Sequence, residues 1–326
     1  MKGEVILPRH NPRTRFTSTI PSQLKQDLER FAVRIGLPMS RIIEDSIGNM
    51  LYEHIEKNKK EDVKIMAKKI AVCSNKGGVG KTTAAACLGH ILGQEGYRIL
   101  LIDADPQGNL SNRFGYDPTE HHELQLSAAI NNVLSDTPVS SKNFICKTSY
   151  ENVELIPADD RLSLSKNDLL NAIVQININA YKAIIEDIES DYDYIIFDTR
   201  PSLDEEIAQI LFCVDWIIIP VNTGHDSIQG ASQTIQYQVK CKRGNKNLKV
   251  AGVFFNRVNN RTISAQEIIP QLNAALDGYI FKTIIPAVED AVKSENMSMP
   301  ITAIFPKSKV TKAFRELTKE VQVKIG

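Results

Sequence analysis

Asn75-Lys76-Gly77-Gly78-Val79-Gly80-Lys81-Thr82-Thr83 is the stretch on which the reading of this chain turns. Three glycines in four positions let the backbone turn through positive φ and bring its N–H groups close to an anion. Gly77, Gly78, Val79 and Gly80 are therefore read as a loop wrapped around a phosphate chain. Lys81 is expected to reach the β- and γ-phosphates, and the Thr82 hydroxyl to hold Mg²⁺. Upstream, residues 70–73 (Ile-Ala-Val-Cys) read as a buried strand. Downstream, residues 81–92 read as a helix whose positive N-terminus faces the anion. A second lysine, Lys76, precedes the glycines and has no task in a one-subunit site. It makes sense as a cation that crosses to a nucleotide held by another copy of the chain.

The 326 residues suffice for one large α/β domain and a small appendage. Lys plus Arg equals Asp plus Glu at 39 each, so nucleic-acid binding has to come from local patches and not from a general basic field. Five scattered cysteines, with no C-x-x-C pair, argue against a disulfide framework and against a zinc or iron–sulfur site. The pair His121–His122 lacks further ligands at suitable spacing and reads as polar loop. No apolar run is long enough for a membrane span, and the polar start is no signal peptide; a reducing cytoplasm is expected.

Beyond Lys69 short apolar runs alternate with amphipathic segments. The strands are expected at residues 69–74, 98–103, 153–157, 194–198, 216–221, 250–256 and 279–285. This alternation is that of a mostly parallel, doubly wound sheet covered on both faces. Two of the strands end in acids: Leu-Leu-Ile-Asp-Ala-Asp-Pro-Gln-Gly-Asn over 100–109, and Tyr-Ile-Ile-Phe-Asp-Thr-Arg-Pro over 194–201. Ligands of such sheets bind beyond the carboxyl ends of the strands, so these acids are expected to face the phosphates. There they can hold waters of Mg²⁺ or orient a nucleophilic water.

The first 68 residues read differently. Residues 1–14 form a basic, proline-containing arm. Residues 15–57 give one β-prone run, 15–20, and two helices, about 22–33 and 39–56, each with one apolar face. A highly charged linker, 58–68, follows. One strand and two short helices bury too little surface alone, and the pattern resembles the ribbon-helix-helix family, whose intertwined dimers place a two-stranded ribbon in the DNA major groove. The resemblance nominates Arg15, Thr17 and Thr19 for base edges and Ser40 for a phosphate clamp. Ser18 and Pro38 depart from that family's pattern. A helical hairpin used only for dimerisation stands as the alternative. A constitutive dimer here would tether two copies of the larger domain and raise their effective concentration.

The larger domain resembles the ParA family of partition ATPases, within the MinD/ParA group. The resemblance rests on the double-lysine loop, Asp-Ala-Asp-Pro-Gln-Gly-Asn, the strand ending in Asp198, Asn-Arg-Val-Asn-Asn-Arg-Thr over 256–262 and the closing Ile-Pro…Phe-Pro-Lys-Ser segment. It implies an α/β P-loop NTPase fold and weak, Mg²⁺-dependent ATP hydrolysis stimulated by a ParB-like activator. It makes Lys76 the residue that contacts the partner subunit's nucleotide and Lys81 and Thr82 the phosphate and Mg²⁺ ligands. Thr83 is placed at the α-phosphate and Asp105 at the attacking water. Asp103 and Asp198 are placed on Mg²⁺ through water, and Asn256 at adenine. Arg200 stands where the family usually has proline; phosphate, activator and bare surface are its three possible settings.

The resemblance also implies a nucleoid-associated ATP-sandwich homodimer that binds DNA non-specifically through exposed cations. Lys240, Lys242 and Arg243, with Lys246 and Lys249, form one such cluster; Lys307, Lys309, Lys312 and Arg315 form another. The bland alternative for both is a solvated face. At the level of function the competing reading is a transcriptional repressor whose operator affinity ATP modulates. A membrane-positioned role is disfavoured by the short, mixed segment 316–325.

Overall fold

A computed structural model describes residues 66–117, 119, 122–135, 137–163, 179–224 and 226–326, together with 26, 29, 30, 32 and 38. The chain separates into two units between residues 64 and 65, and the second, Ile65–Gly326, is described here by itself. Apart from those five residues, the expected ribbon-helix-helix module, with Arg15, Thr17, Thr19 and Ser40, lies outside the described residues, as does His121.

Strand β1 (Lys68–Val72) leads through the glycine loop into α1 (Lys81–Gln94), followed by β2 (Ile99–Ala104), α2 (Asn109–Arg113) and α3 (Leu126–Val133). Next come β3 (Cys146–Lys147), β4 (Val153–Ile156), α4 (Ala180–Ile188), β5 (Tyr194–Thr199) and α5 (Glu205–Cys213). Then follow β6 (Trp216–Val221), α6 (Ser227–Cys241), β7 (Lys249–Val258), α7 (Ile263–Ala275) and β8 (Ile280–Pro286). Helices α8 (Glu289–Asn296), α9 (Ile301–Ile304) and α10 (Lys309–Ile325) complete the chain.

The eight strands form one sheet in the order β3-β4-β2-β5-β1-β6-β7-β8. All neighbours are parallel except the two-residue β3, which runs antiparallel to β4. Parallel strands need crossover helices, which cover both faces, so the strands are apolar on both sides. In β5, Tyr194 and Ile196 pack into the core under α1 and α10, while Ile195 and Phe197 pack into the core on the other face. The seven longer strands begin and end within two residues of their sequence expectations; only β3 was not foreseen.

Helix α1 is buried all round: every residue from Thr83 to Gly93 is enclosed. Its small residues Ala84, Ala85, Ala86 and Gly89 let it lie between the sheet and helices α9 and α10. The order β2-β5-β1 brings the carboxyl ends of three strands together beside the N-terminus of α1. Register pairs Asp103 of β2 with Asp198 of β5, and Val72 of β1 with the same Asp198. Among the described residues no helix is long and apolar enough to cross a membrane.

Candidate nucleotide site

The glycine loop closes in a left-handed turn. Gly78 has φ 71° and Gly80 has φ 92°, the region that residues with a Cβ rarely adopt. Gly80 also caps α1 without any side-chain hydrogen bond to the helix N-terminus, which leaves first-turn N–H groups for an anion. A Cβ on Gly80 would lie 2.0 Å from Asn256 Nδ2. This close approach lets Asn256, at the end of β7, donate to the Val79 carbonyl at 2.8 Å from a position only 2% exposed.

Around the loop opens a cleft of about 520 Å³, lined by Gly77, Gly78, Gly80, Lys81, Thr82, Thr83, Asp105, Gln107 and residues of α2, among others. Lys81 is buried and donates to the Lys76 carbonyl at 3.2 Å. Burial lowers its pKa, while Asp198, Cys73 and Asp105 pull the other way. A poorly hydrated ammonium of this kind binds phosphate without first shedding a full water shell.

The three acids have different settings. Asp103 is fully enclosed; its Oδ2 accepts from the Ser111 N–H at 2.8 Å and hydroxyl at 2.7 Å, and its Oδ1 from the Asp105 N–H at 3.2 Å. Burial raises its carboxyl to about 6, against the opposing effect of these donors. Asp103 thus holds α2 and the Asp105 turn in place. Asp105 lines the cleft, and its Oδ1 accepts from the Gln107 N–H at 3.1 Å.

Asp198 is fully buried, and neither carboxylate oxygen has a hydrogen-bond partner of good geometry, although the Thr82 side chain interacts with it. Burial and the neighbouring Asp103 hold Asp198 well above the usual carboxylate range. Two buried carboxylate oxygens that only a threonine hydroxyl approaches are an oxygen set that suits the water shell of a hard divalent cation. Thr82 and Asp198 therefore fit the expected Mg²⁺; Asp103 is already occupied by protein donors.

Lys76 does not line its own cleft. Its ammonium turns away to Asn222 Oδ1 at 3.2 Å and to the Asp226 carboxylate. Asn256, expected at adenine, stands at the back of the glycine loop, where its Nδ2 braces Val79 and its Oδ1 accepts from the Arg257 N–H at 3.0 Å. Arg200 is neither in the cleft nor free at the surface. It pairs with Asp204 at 2.5 Å and with the buried Glu206 at 2.7 Å, bracing the start of α5.

Three charged cleft residues, Arg113, Arg257 and Glu295, escaped the sequence reading. Glu295 of α8 accepts from the Thr83 hydroxyl at 3.4 Å and pairs with Arg257 and, at 3.6 Å, with Arg113. Arg257 carries a left-handed φ of 56°, unusual for a residue with a side chain. Lys240, Lys242 and Arg243 are exposed at the end of α6 and the turn after it. That turn leads into the start of β7, at the end of the sheet opposite the cleft. The four cysteines at 73, 87, 213 and 241 and Cys146 are all buried and unpaired. Among the described residues no His, Cys, Asp and Glu cluster has the makings of a metal site of its own.

Residues 67–250 match a protein-family model described as an AAA domain. An uncharacterized protein of Mycobacterium tuberculosis is 33% identical over 80% of this chain and 80% of its own length. The chromosome-partitioning ATPase Soj of Treponema pallidum is 30% identical over 80% of this chain and 99% of its own. Among solved structures, the ATP complex of a Cyanothece McdA variant superposes with a TM-score of 0.66 at 22% identity, over 79% of this chain and 97% of that one.

Proposed function

Because this chain belongs to the AAA-domain family of ParA-type P-loop ATPases, we propose that it is a DNA-partition ATPase that closes into an ATP-sandwich dimer. ATP with Mg²⁺ is its substrate and cofactor. The loop N–H groups and Lys81 bind the phosphates, and Thr82 with Asp198 would hold Mg²⁺, which supplies charge neutralisation at the phosphate oxygens. Asp105, the strand-end acid that lines the cleft, orients the attacking water. Asp103 keeps the Asp105 turn in register. Positioning and charge neutralisation are the chief demands of phosphoryl transfer, so a site that lacks one cation is slow.

The observation that carries the dimer reading is the setting of Lys76. A second lysine in the phosphate loop is turned out of its own cleft toward Asn222 and Asp226. An ammonium used across an interface completes the site only when two copies meet, which makes assembly depend on nucleotide. A ParB-like partner would then act by speeding hydrolysis in the closed dimer.

DNA enters the proposal twice. Non-specific binding is assigned to the exposed cations Lys240, Lys242 and Arg243 and is expected to weaken steeply with salt. Sequence-specific binding, and with it autoregulation, is assigned to residues 15–57 on the strength of the sequence pattern alone. The test is Lys76→Ala, followed by analytical ultracentrifugation with ATP and by ATP turnover. ATP binding should persist while dimer and turnover are lost. A variant that dimerises on ATP and turns it over at the parental rate would overturn the proposal.

A further inference from the structure

The cleft holds more cationic side chains than the phosphate loop requires. Arg113, from the last turn of α2, is 8% exposed; its Nη1 is buried with no hydrogen-bond partner, and it lines the cleft beside Thr83. A buried, unpartnered guanidinium donor is costly and calls for an acceptor. Its other nitrogen, Nη2, lies 3.6 Å from Glu295 Oε1. The same oxygen accepts from the Thr83 hydroxyl at 3.4 Å and takes the charge of Arg257. One carboxylate oxygen thus sits where two guanidinium groups and the second hydroxyl of the helix N-terminus converge.

We infer that Arg113 is a nucleotide-binding residue and that Glu295 is an internal stand-in for the nucleotide's anion. This rests on the ATPase reading above. Lys81 and Thr82 face Asp198, with Asp105 nearby, at the end of the cleft where hydrolysis is assigned. Thr83 faces the opposite way, toward Glu295. A phosphate chain threaded through the loop therefore presents its ribose-adjacent phosphate to Thr83, in reach of Arg113. On binding, this phosphate takes the place of the Glu295 carboxylate at the Thr83 hydroxyl and satisfies Arg113. Guanidinium suits the role because it offers several fixed donors to oxyanions. Glu295 keeps both arginines aimed at the cleft before the nucleotide arrives and competes weakly with it afterwards.

The experiment is calorimetric titration of Mg·ADP and Mg·ATP into wild type, Arg113→Met, Arg113→Lys and Glu295→Gln, with far-UV circular dichroism as the folding control. Arg113→Met should raise Kd about tenfold, by the same factor for ADP and ATP, since both carry the ribose-adjacent phosphate. Arg113→Lys should recover part of that loss. Glu295→Gln should bind more tightly than wild type, about threefold. Folded Arg113→Met with Kd within twofold of wild type would overturn the role of Arg113. Glu295→Gln that binds as poorly as Arg113→Met would overturn the stand-in. Should Arg113→Met fail to fold, Arg113→Lys and Glu295→Gln decide, and wild-type affinity in both refutes the inference. Wild type that binds neither nucleotide would refute the ATPase reading itself, a result distinct from these.

Discussion

Replacing Gly80 by alanine tests how the phosphate loop is held. Two costs add. An L-residue in the left-handed conformation observed at φ 92° loses about 1–2 kcal/mol. The new Cβ would also stand 2.0 Å from Asn256 Nδ2, closer than any real contact, so the Asn256 amide has to leave. Its 2.8 Å bond to the Val79 carbonyl is then broken in an enclosed place, and a buried amide and carbonyl without partners cost about 1–3 kcal/mol. Gly80→Ala is therefore expected to lose about 3 kcal/mol of unfolding free energy by the first and second effects together. Asn256→Ala alone should lose about 1–3 kcal/mol through the same bond. The double variant carries the backbone strain but no clash, so it should be more stable than the sum of the single losses by at least about 1 kcal/mol. Urea unfolding of all four proteins measures this cycle, with unchanged m-values as the sign that one transition is being compared. Additivity within about 0.5 kcal/mol would refute the reasoning, because it would mean that Gly80 and Asn256 do not share space.

Two further outcomes are expected. His90 is buried beside Thr302, whose hydroxyl lies 2.8 Å from Nδ1, and burial lowers its pKa from 6.5 to about 4. The unfolded chain then binds a proton that the folded one refuses, so the His90 contribution to stability is full above pH 6.5 and falls as pH drops toward 4, by about 3 kcal/mol at about 1.4 kcal/mol per pH unit. The raised carboxyls of Asp103 and Asp198 act in the opposite sense over the same window, so His90 is read from the difference between wild type and His90→Gln in chemical denaturation at a series of pH values; equal slopes in the two would refute the assignment. Arg200→Met removes the guanidinium that faces the buried Glu206 and should cost about 2–3 kcal/mol, less than a fully enclosed pair because Arg200 is partly exposed. Thermal unfolding should show that loss, and Glu206→Gln in the same chain should recover part of it; no loss would place Arg200 among the inert surface residues.

The sheet was readable because its strands are enclosed on both faces. Runs such as residues 194–197, ahead of Asp198, have to be apolar at successive positions, and that pattern survives any detail of packing. The gathering of Lys81, Thr82, Asp105 and Asp198 at one end of the sheet was readable for a local reason: each is fixed by its distance from a strand end or from the glycine loop. That of Glu295 and Arg113 was not. They meet at Thr83 from positions far apart in the chain, and each looks like an ordinary helix-end charge in its own segment. Asn256 does stand at the end of a strand, but its partner was hidden, because the absence of a Cβ on Gly80 says nothing about which side chain fills the gap. Arg200 was ambiguous for the same reason, since Glu206 is recognised as buried only once α5 is packed.

Helix α1 is enclosed on every side by the sheet, α9 and α10. It behaves as a fixed keel, because any tilt would open voids in tightly filled surroundings. A nucleotide seated on its first turn has little freedom to push it. A response to its arrival is therefore expected at the flanks, in residues 105–113 and in the contact of Lys76 with Asn222 and Asp226. In such a machine the signal is carried by the rigging, while the hull stays still.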